Sequence, residues 1–341
     1  MCRMLGKNPI KTLLVLLPMG VIAFGILSFV IFFDKSNADV KEDTGVGDIF
    51  QKPVEKSELK KTVEMLATRI GPRHAGNAYN KLKVAATWLE SSMGPSNMGY
   101  KVEKQRYEVS GKEYVNLTVE IPGKTKPEEI VVVGAHYDSA QDCPGANDNG
   151  SGVAALLALA NSYVGSENAR TLRFVAFTNE EPPFFQTSSM GSVMYAQKCK
   201  SLGENIVAML SLETMGYFSD EPGSQQMPPT VRGRFPDMGN FIAFVSRPES
   251  EALVKQCADA FRKAGNFPIQ EVVLSEEIPG IGFSDHWSFW QEGYPAMMIT
   301  DTAPYRYPHY HKPTDTPDKI DYDRLFDVVE GVGAVIKDLV K

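Results

Sequence analysis

The chain has 341 residues, 43% of them hydrophobic and 23% charged, with a net charge of −7. That length and balance suit one large α/β domain or two smaller ones. The acidic charge and the lack of a Lys/Arg cluster argue against a nucleic-acid partner.

The N-terminus stands apart from the rest. Arg3, Lys7 and Lys11 precede an uncharged run at 12–33. At ~1.5 Å per residue this run reaches ~33 Å, enough for a bilayer core. The basic flank at 1–11 places that end in the cytoplasm. A transmembrane anchor at 12–33 is therefore expected, with a cleaved signal ending at Ser36–Ala38 as the rival. Either way the remainder is expected outside the cytoplasm; with the anchor kept, it is a single-pass, membrane-anchored domain. Residues 34–57 are polar, show no apolar period and read as a linker. Residues 58–341 form the remaining domain. Cys2 precedes the apolar run, while Cys143, Cys199 and Cys257 follow it. Such a compartment permits a disulfide without demanding one.

Helices are expected at 58–69 and 80–93, then two alternating runs at 100–109 and 114–121 typical of paired antiparallel strands. From residue 129 the pattern changes. "EIVVVGA", "TLRFVAFT", "IVAMLSL", "FIAFVS" and "AMMIT" are short, nearly continuous apolar runs, as strands covered on both faces require. Helical patterns alternate with them at 151–163, 189–200, 250–264, 285–291 and 322–340. The alternation implies an α/β fold, a mostly parallel mixed sheet between helices.

Ligands of such sheets gather beyond the C-terminal strand ends. There the sequence places His136 and Asp138, then Asp148, then Asn179, Glu180 and Glu181, then Glu213, then Asp301, His309, His311 and Asp315. Taken singly, Asp148 reads as a helix N-cap and each His as a satisfied polar residue. Together they read as a metal site, because His, Asp and Glu converge from four strand ends. Imidazole and carboxylate without thiolate favour zinc. Two histidines and three carboxylates suit two zinc ions if one carboxylate bridges. Asp138 is then the carboxylate behind the His136 imidazole. In "NEEPP" one glutamate can bind metal while its neighbour accepts a proton, and Pro182 is expected to break the strand alternation so that both reach one site.

"VVVGAHYDS", "GANDNGSG", "NEE", "SLETMG", "FSDHWSFWQEGYPA" and "YHKPTDT" together resemble the di-zinc exopeptidases of metallopeptidase family 28. That family includes bacterial aminopeptidases, glutamate carboxypeptidases and glutaminyl cyclases. The resemblance covers about residues 58–340 and implies a zinc-exopeptidase-like three-layer sandwich. It implies one zinc on His136, Asp148 and Glu213, and a second on Asp148, Glu181 and His311. It also implies Glu180 as general base and Asp138 behind the first histidine, and Tyr310 matches a tyrosine that some members use to stabilise the oxyanion. Two departures stand out. "EEPPFFQTSSMGS" replaces the family's usual glycine-containing loop, and Glu213 stands where Asp is common.

The activity implied is metallo-aminopeptidase hydrolysis of peptides with a free N-terminus. The zinc pair acidifies a water, Glu180 takes its proton, and Phe184, Phe185, Trp287 or Trp290 are candidates to line a side-chain pocket. The alternatives are a glutaminyl cyclase, a carboxypeptidase using Arg232, Arg234 or Arg306 for the substrate carboxylate, and a catalytically silent anchored binding ectodomain.

Overall fold

A computed structural model describes residues 52–265 and 267–341. The expected cytoplasmic segment at 1–11, the anchor at 12–33 and most of the linker lie outside the described residues. Among the described residues no helix is long and apolar enough to cross a membrane.

Among the described residues, eight strands form one sheet. In chain order they are β1 (Glu103–Val109), β2 (Lys112–Ile121), β3 (Lys126–His136), β4 (Arg170–Phe177), β5 (Asn205–Glu213), β6 (Ile242–Ser246), β7 (Ile269–Val273) and β8 (Ala296–Thr300). The spatial order is β1-β2-β4-β3-β5-β8-β6-β7. The central strands β4, β3, β5 and β8 run parallel, so their C-terminal ends share one edge. Strand β2 joins β4 antiparallel and β6 joins β8 antiparallel, which makes the sheet mixed. The β1–β2 hairpin turns through Ser110 and Gly111, both at positive φ, the geometry that a two-residue turn between twisted strands needs.

The unbroken apolar runs follow from burial on both faces. Val131, Val133 and Ala135 of β3 join one core, while Ile130 and Val132 join the other. The larger layer contains α1 (Lys56–Glu64), α2 (Tyr79–Met93), α3 (Gly152–Ser162), α5 (Glu251–Ala264) and α8 (Tyr322–Leu339). On the opposite face, Tyr195 of α4 (Gly191–Ser201) and Phe289 of α6 (His286–Gln291) pack against Phe177. A one-turn α7 (Ala303–Arg306) follows β8.

Two local outcomes differ from the sequence pattern. The first helix starts at Lys56, inside the expected linker, and ends in a π-helical turn at Met65–Ile70. Strand β7 was not anticipated. It is an edge strand, half-buried throughout, and Gln270 and Glu271 interrupt its apolar character. Cys143, Cys199 and Cys257 are buried free thiols.

Candidate metal centre

The shared edge of β3, β4 and β5 collects the acids and imidazoles. His136 is the last residue of β3 and Glu213 the last of β5. Asp148 arrives from the loop before α3. Glu180 and Glu181 follow β4, and His311 lies on the loop between α7 and α8. His136, Asp148 and Glu213 offer ligand atoms all within 4.8 Å of one another, and so do Asp148, Glu181 and His311. Asp148 belongs to both sets. Its Oδ1 lies 3.5 Å from His136 Nε2, and its Oδ2 lies 3.1 Å from His311 Nε2. His136 Nε2 is also 3.2 Å from Glu213 Oε2, and His311 Nε2 is 3.2 Å from Glu181 Oε2.

Local chemistry fixes each ligand. The capping role that Asp148 would have taken singly belongs to Asn149, whose Oδ1 accepts the Gly152 N–H at 3.1 Å and the Thr214 N–H at 3.1 Å. Asp148 is thereby free for the site. Asn147 Oδ1 accepts the Gly216 N–H, and Ser151 Oγ accepts the Met215 N–H. The loop before α3 is thus tied to the three residues after Glu213. Asp301 does not enter either ligand set; it stands behind them, accepting Asn147 Nδ2 and the Tyr217 N–H.

Asp138 does more than face the His136 imidazole, from which it is 3.5 Å away. Its two oxygens accept the N–H groups of Glu180 and Glu181, each at 3.1 Å. The chain reaches that clamp by turning at Asn179, a non-glycine residue at φ 59°. The strand alternation is therefore already broken at Asn179, before Pro182. His309 points away and pairs with Thr314. His286 is buried against Trp290 and bonded to the Ile281 carbonyl; burial holds it down at about 4, so it stays neutral.

Residues that sequence reading did not single out complete the surroundings. Arg73 is wholly buried and donates to the carbonyls of Tyr137, Pro144 and Gly145. Burial lowers it to about 10, against the pull of Asp138, Asp315, Asp148 and Glu181. "PRHAG" carries no pattern that marks such a cation. Ser284 donates to Glu213 Oε2. Asp285 is fully buried, and burial raises it to about 7.

Burial also raises Glu180; His136 counteracts this, while Glu213, Glu181 and Asp285 add to it. Glu213 is raised by burial and Asp148, with His136 opposing. For His136 the order reverses: burial opposes protonation, but Glu180, Glu213, Asp138 and Asp148 outweigh it and raise the imidazole well above its usual range. Five buried carboxylates, Asp138, Asp148, Glu180, Glu181 and Glu213, thus face two imidazoles. Glu181 Oε1 is buried without a hydrogen-bond partner. This donor set fits divalent cations, whose charge offsets the crowding of carboxylates. Two sets of three imidazole and carboxylate donors sharing Asp148 fit a pair of zinc ions.

An apolar cavity opens beside these ligands. Glu213 and Tyr310 form its edge on the metal side, and Met227, Phe235, Phe241 and Met298 are among its apolar walls. Tyr310 stacks on His311 with ring centroids 3.9 Å apart. Its phenol is raised by burial and by Asp148, Glu181, Glu213 and Glu180. The expected aromatic lining is corrected here. Trp290 is buried in the core, Trp287 packs against that core, and Phe184 packs against the opposite one. Phe185 meets Phe283, which lines the cavity and is 41% exposed.

A family model described as "Peptidase family M28" matches residues 116–336. The chain belongs to peptidase family M28. It resembles the uncharacterized protein YfbL of Escherichia coli (strain K12), with 38% identity over 284 residues, covering 81% of this chain and 85% of that protein. A probable leucine aminopeptidase of Trichophyton verrucosum is 30% identical over 323 residues, covering 85% of this chain and 80% of its own. The zinc aminopeptidase BSAP of Bacillus subtilis shares the fold, with a TM-score of 0.67 at 17% identity, over 85% of this chain and 96% of that one. The M28 fold matches the mixed α/β sandwich expected from the strand–helix alternation. The expectation of a metallo-aminopeptidase hydrolase agrees with the family and with these relatives.

Proposed function

We propose that this M28 enzyme is a di-zinc aminopeptidase that removes large apolar residues from peptides with a free N-terminus. The observation that carries this reading is the pair of ligand sets sharing Asp148, opening directly onto an apolar cavity edged by Glu213 and Tyr310. His136, Asp148 and Glu213 would hold one ion, and Asp148, Glu181 and His311 the other. When bound, the ions supply positive charge that acidifies water and polarises the scissile carbonyl.

The chain's own groups do the rest. Asp138 holds the Glu180 and Glu181 main chain, so the two carboxylates keep separate tasks. Glu180 accepts the proton of the attacking water and returns it to the leaving amine. Tyr310 donates its O–H to the carbonyl oxygen as charge develops there. The acid-rich wall receives the substrate's α-ammonium, and the cavity receives its first side chain.

A carboxypeptidase would need a free guanidinium. Arg306 instead spends Nε on Gln225 and Nη1 on the Phe241 carbonyl, which speaks against that role for Arg306; Arg232 and Arg234 are exposed and keep the carboxypeptidase as the second reading. By its sequence pattern, we also place the enzyme outside the cytoplasm, held by residues 12–33.

The substrate reading is tested on leucyl, alanyl and N-acetyl-leucyl anilides, with zinc analysis of the same sample. Leucyl anilide is expected to be cut fastest, the acetylated form not at all, and two zinc ions per chain to be found. Equal rates on free and acetylated substrates would overturn the aminopeptidase reading.

A further inference from the structure

The two ends of the metal centre are each held by a buried carboxylate that takes no part in either ligand set. Asp138 holds the Glu180–Glu181 main chain. Asp315 has the same kind of hold on the opposite loop. Its Oδ1 accepts the Asn147 N–H at 2.8 Å, and its Oδ2 accepts the Asp148 N–H at 3.1 Å. The Tyr307 hydroxyl donates to the same Oδ1 at 2.7 Å. The Asp315 carbonyl also accepts the Ala146 N–H at 3.3 Å. Asp315 is 1% exposed, so water does not compete for these bonds.

Asp315 also lies four residues after His311 on one short loop. Its Asn147 and Asp148 contacts therefore tie the loop carrying an end ligand to the loop carrying the shared one. A carboxylate offers only acceptors, which suits two main-chain donors and a phenol. An amide cannot replace it: one of its two heads is a donor and must face either the Asp148 N–H or the Asn147 N–H.

We propose that Asp315, steadied by Tyr307, is a positioning residue that sets the place of Asp148 and so the affinity of both metal sites. The proposal rests on the reading of Asp148 as the shared ligand. Loss of a supporting carboxylate around a metal ligand commonly weakens binding by about 10–100-fold. Because Asp148 is common to both sets, Asp315→Asn should weaken both ions, not one.

The test uses the full chain, with zinc titrated against a competing chelator and cobalt(II) as a spectroscopic probe. Wild type is expected to hold two ions. Asp315→Asn is expected to hold both about 10–100-fold more weakly, with an altered cobalt absorption band and activity restored by added zinc. A purely structural role would lower the metal-free melting temperature and leave zinc affinity and the cobalt band unchanged; that result overturns the proposal. Tyr307→Phe keeps both main-chain bonds to Asp315 and removes one restraint on it. It is expected to fold and to shift zinc affinity the same way by less. If Asp315→Asn does not fold, unchanged affinity in Tyr307→Phe overturns the proposal. Fewer than two ions in wild type would instead overturn the di-zinc reading beneath it.

Discussion

Glu180 and Glu181 are neighbours in sequence, both are buried, and both hang from N–H groups bonded to Asp138. Their surroundings differ. Glu181 Oε2 faces His311, whereas Glu180 Oε2 lies 3.8 Å from His136 and outside both ligand sets. The proposed division of work predicts that substitutions of equal size fail differently. Glu180→Gln keeps the shape and the ligands but removes the proton acceptor. Its zinc content should match wild type while its rate falls by about 10²–10⁴-fold. Glu181→Gln replaces an anionic ligand with a weak neutral one, so added zinc should restore part of its activity. Zinc rescue of Glu180→Gln, and none of Glu181→Gln, would reverse the two roles.

Helix α3 shows how an element serves the site. Its first residue, Gly152, lies where a Cβ would strike the Leu212 carbonyl of β5 and the Asn149 side chain. Gly152 has ordinary helical φ and ψ, so the need is for space, not backbone freedom. The absence of a side chain lets the loop before α3 lie against the end of β5, which brings Asp148 to Glu213. Helix propensity alone would favour Gly152→Ala by up to about 1 kcal/mol. Overpacking against a strand carbonyl costs about 1–3 kcal/mol, and it acts on the residue that Asn149 caps, so it should win. Gly152→Ala is therefore expected to melt lower than wild type and to bind zinc more weakly. A higher melting temperature with unchanged zinc affinity would show that the strand yields freely.

At the scale of the whole molecule, the peptidase domain follows an uncharged run preceded by basic residues. Residues 12–33 are long enough to cross a bilayer and carry no charge to oppose it. Protein extracted from membranes is expected to begin near Met1 on N-terminal sequencing. A mature chain starting at Asp39 would mean a cleaved signal and a released enzyme, with the proposed chemistry unaffected.

The sequence by itself determined the layers and the cast of the site. Strands β3, β4, β5, β6 and β8 were legible because burial on both faces demands unbroken apolar runs, and helices because one buried face demands a 3.6-residue period. Edge strand β7 was not, because a strand with one neighbour and half-buried residues needs no such run. Parallel strands bring their C-terminal ends together wherever they fall in the chain, so His136, Asp138, Asp148, Glu180, Glu181, Glu213, Asp301, His309, His311 and Asp315 were legible as candidates for one edge; the choice of ligands among them came from the family resemblance. Only the tertiary structure decided how these side chains are held. Asn149 caps α3 and leaves Asp148 to the site, Asn179 makes the turn credited to Pro182, and Arg73 comes under the site from a loop with no distinguishing pattern. The cavity walls came from segments around Met227, Phe241 and Phe283 rather than from the aromatic loop beside the glutamates. Local sequence encodes periodicity and burial, which act over a few residues. Hydrogen bonds such as that between Asp315 and the Asp148 N–H join residues 167 positions apart, and only folding brings them within reach.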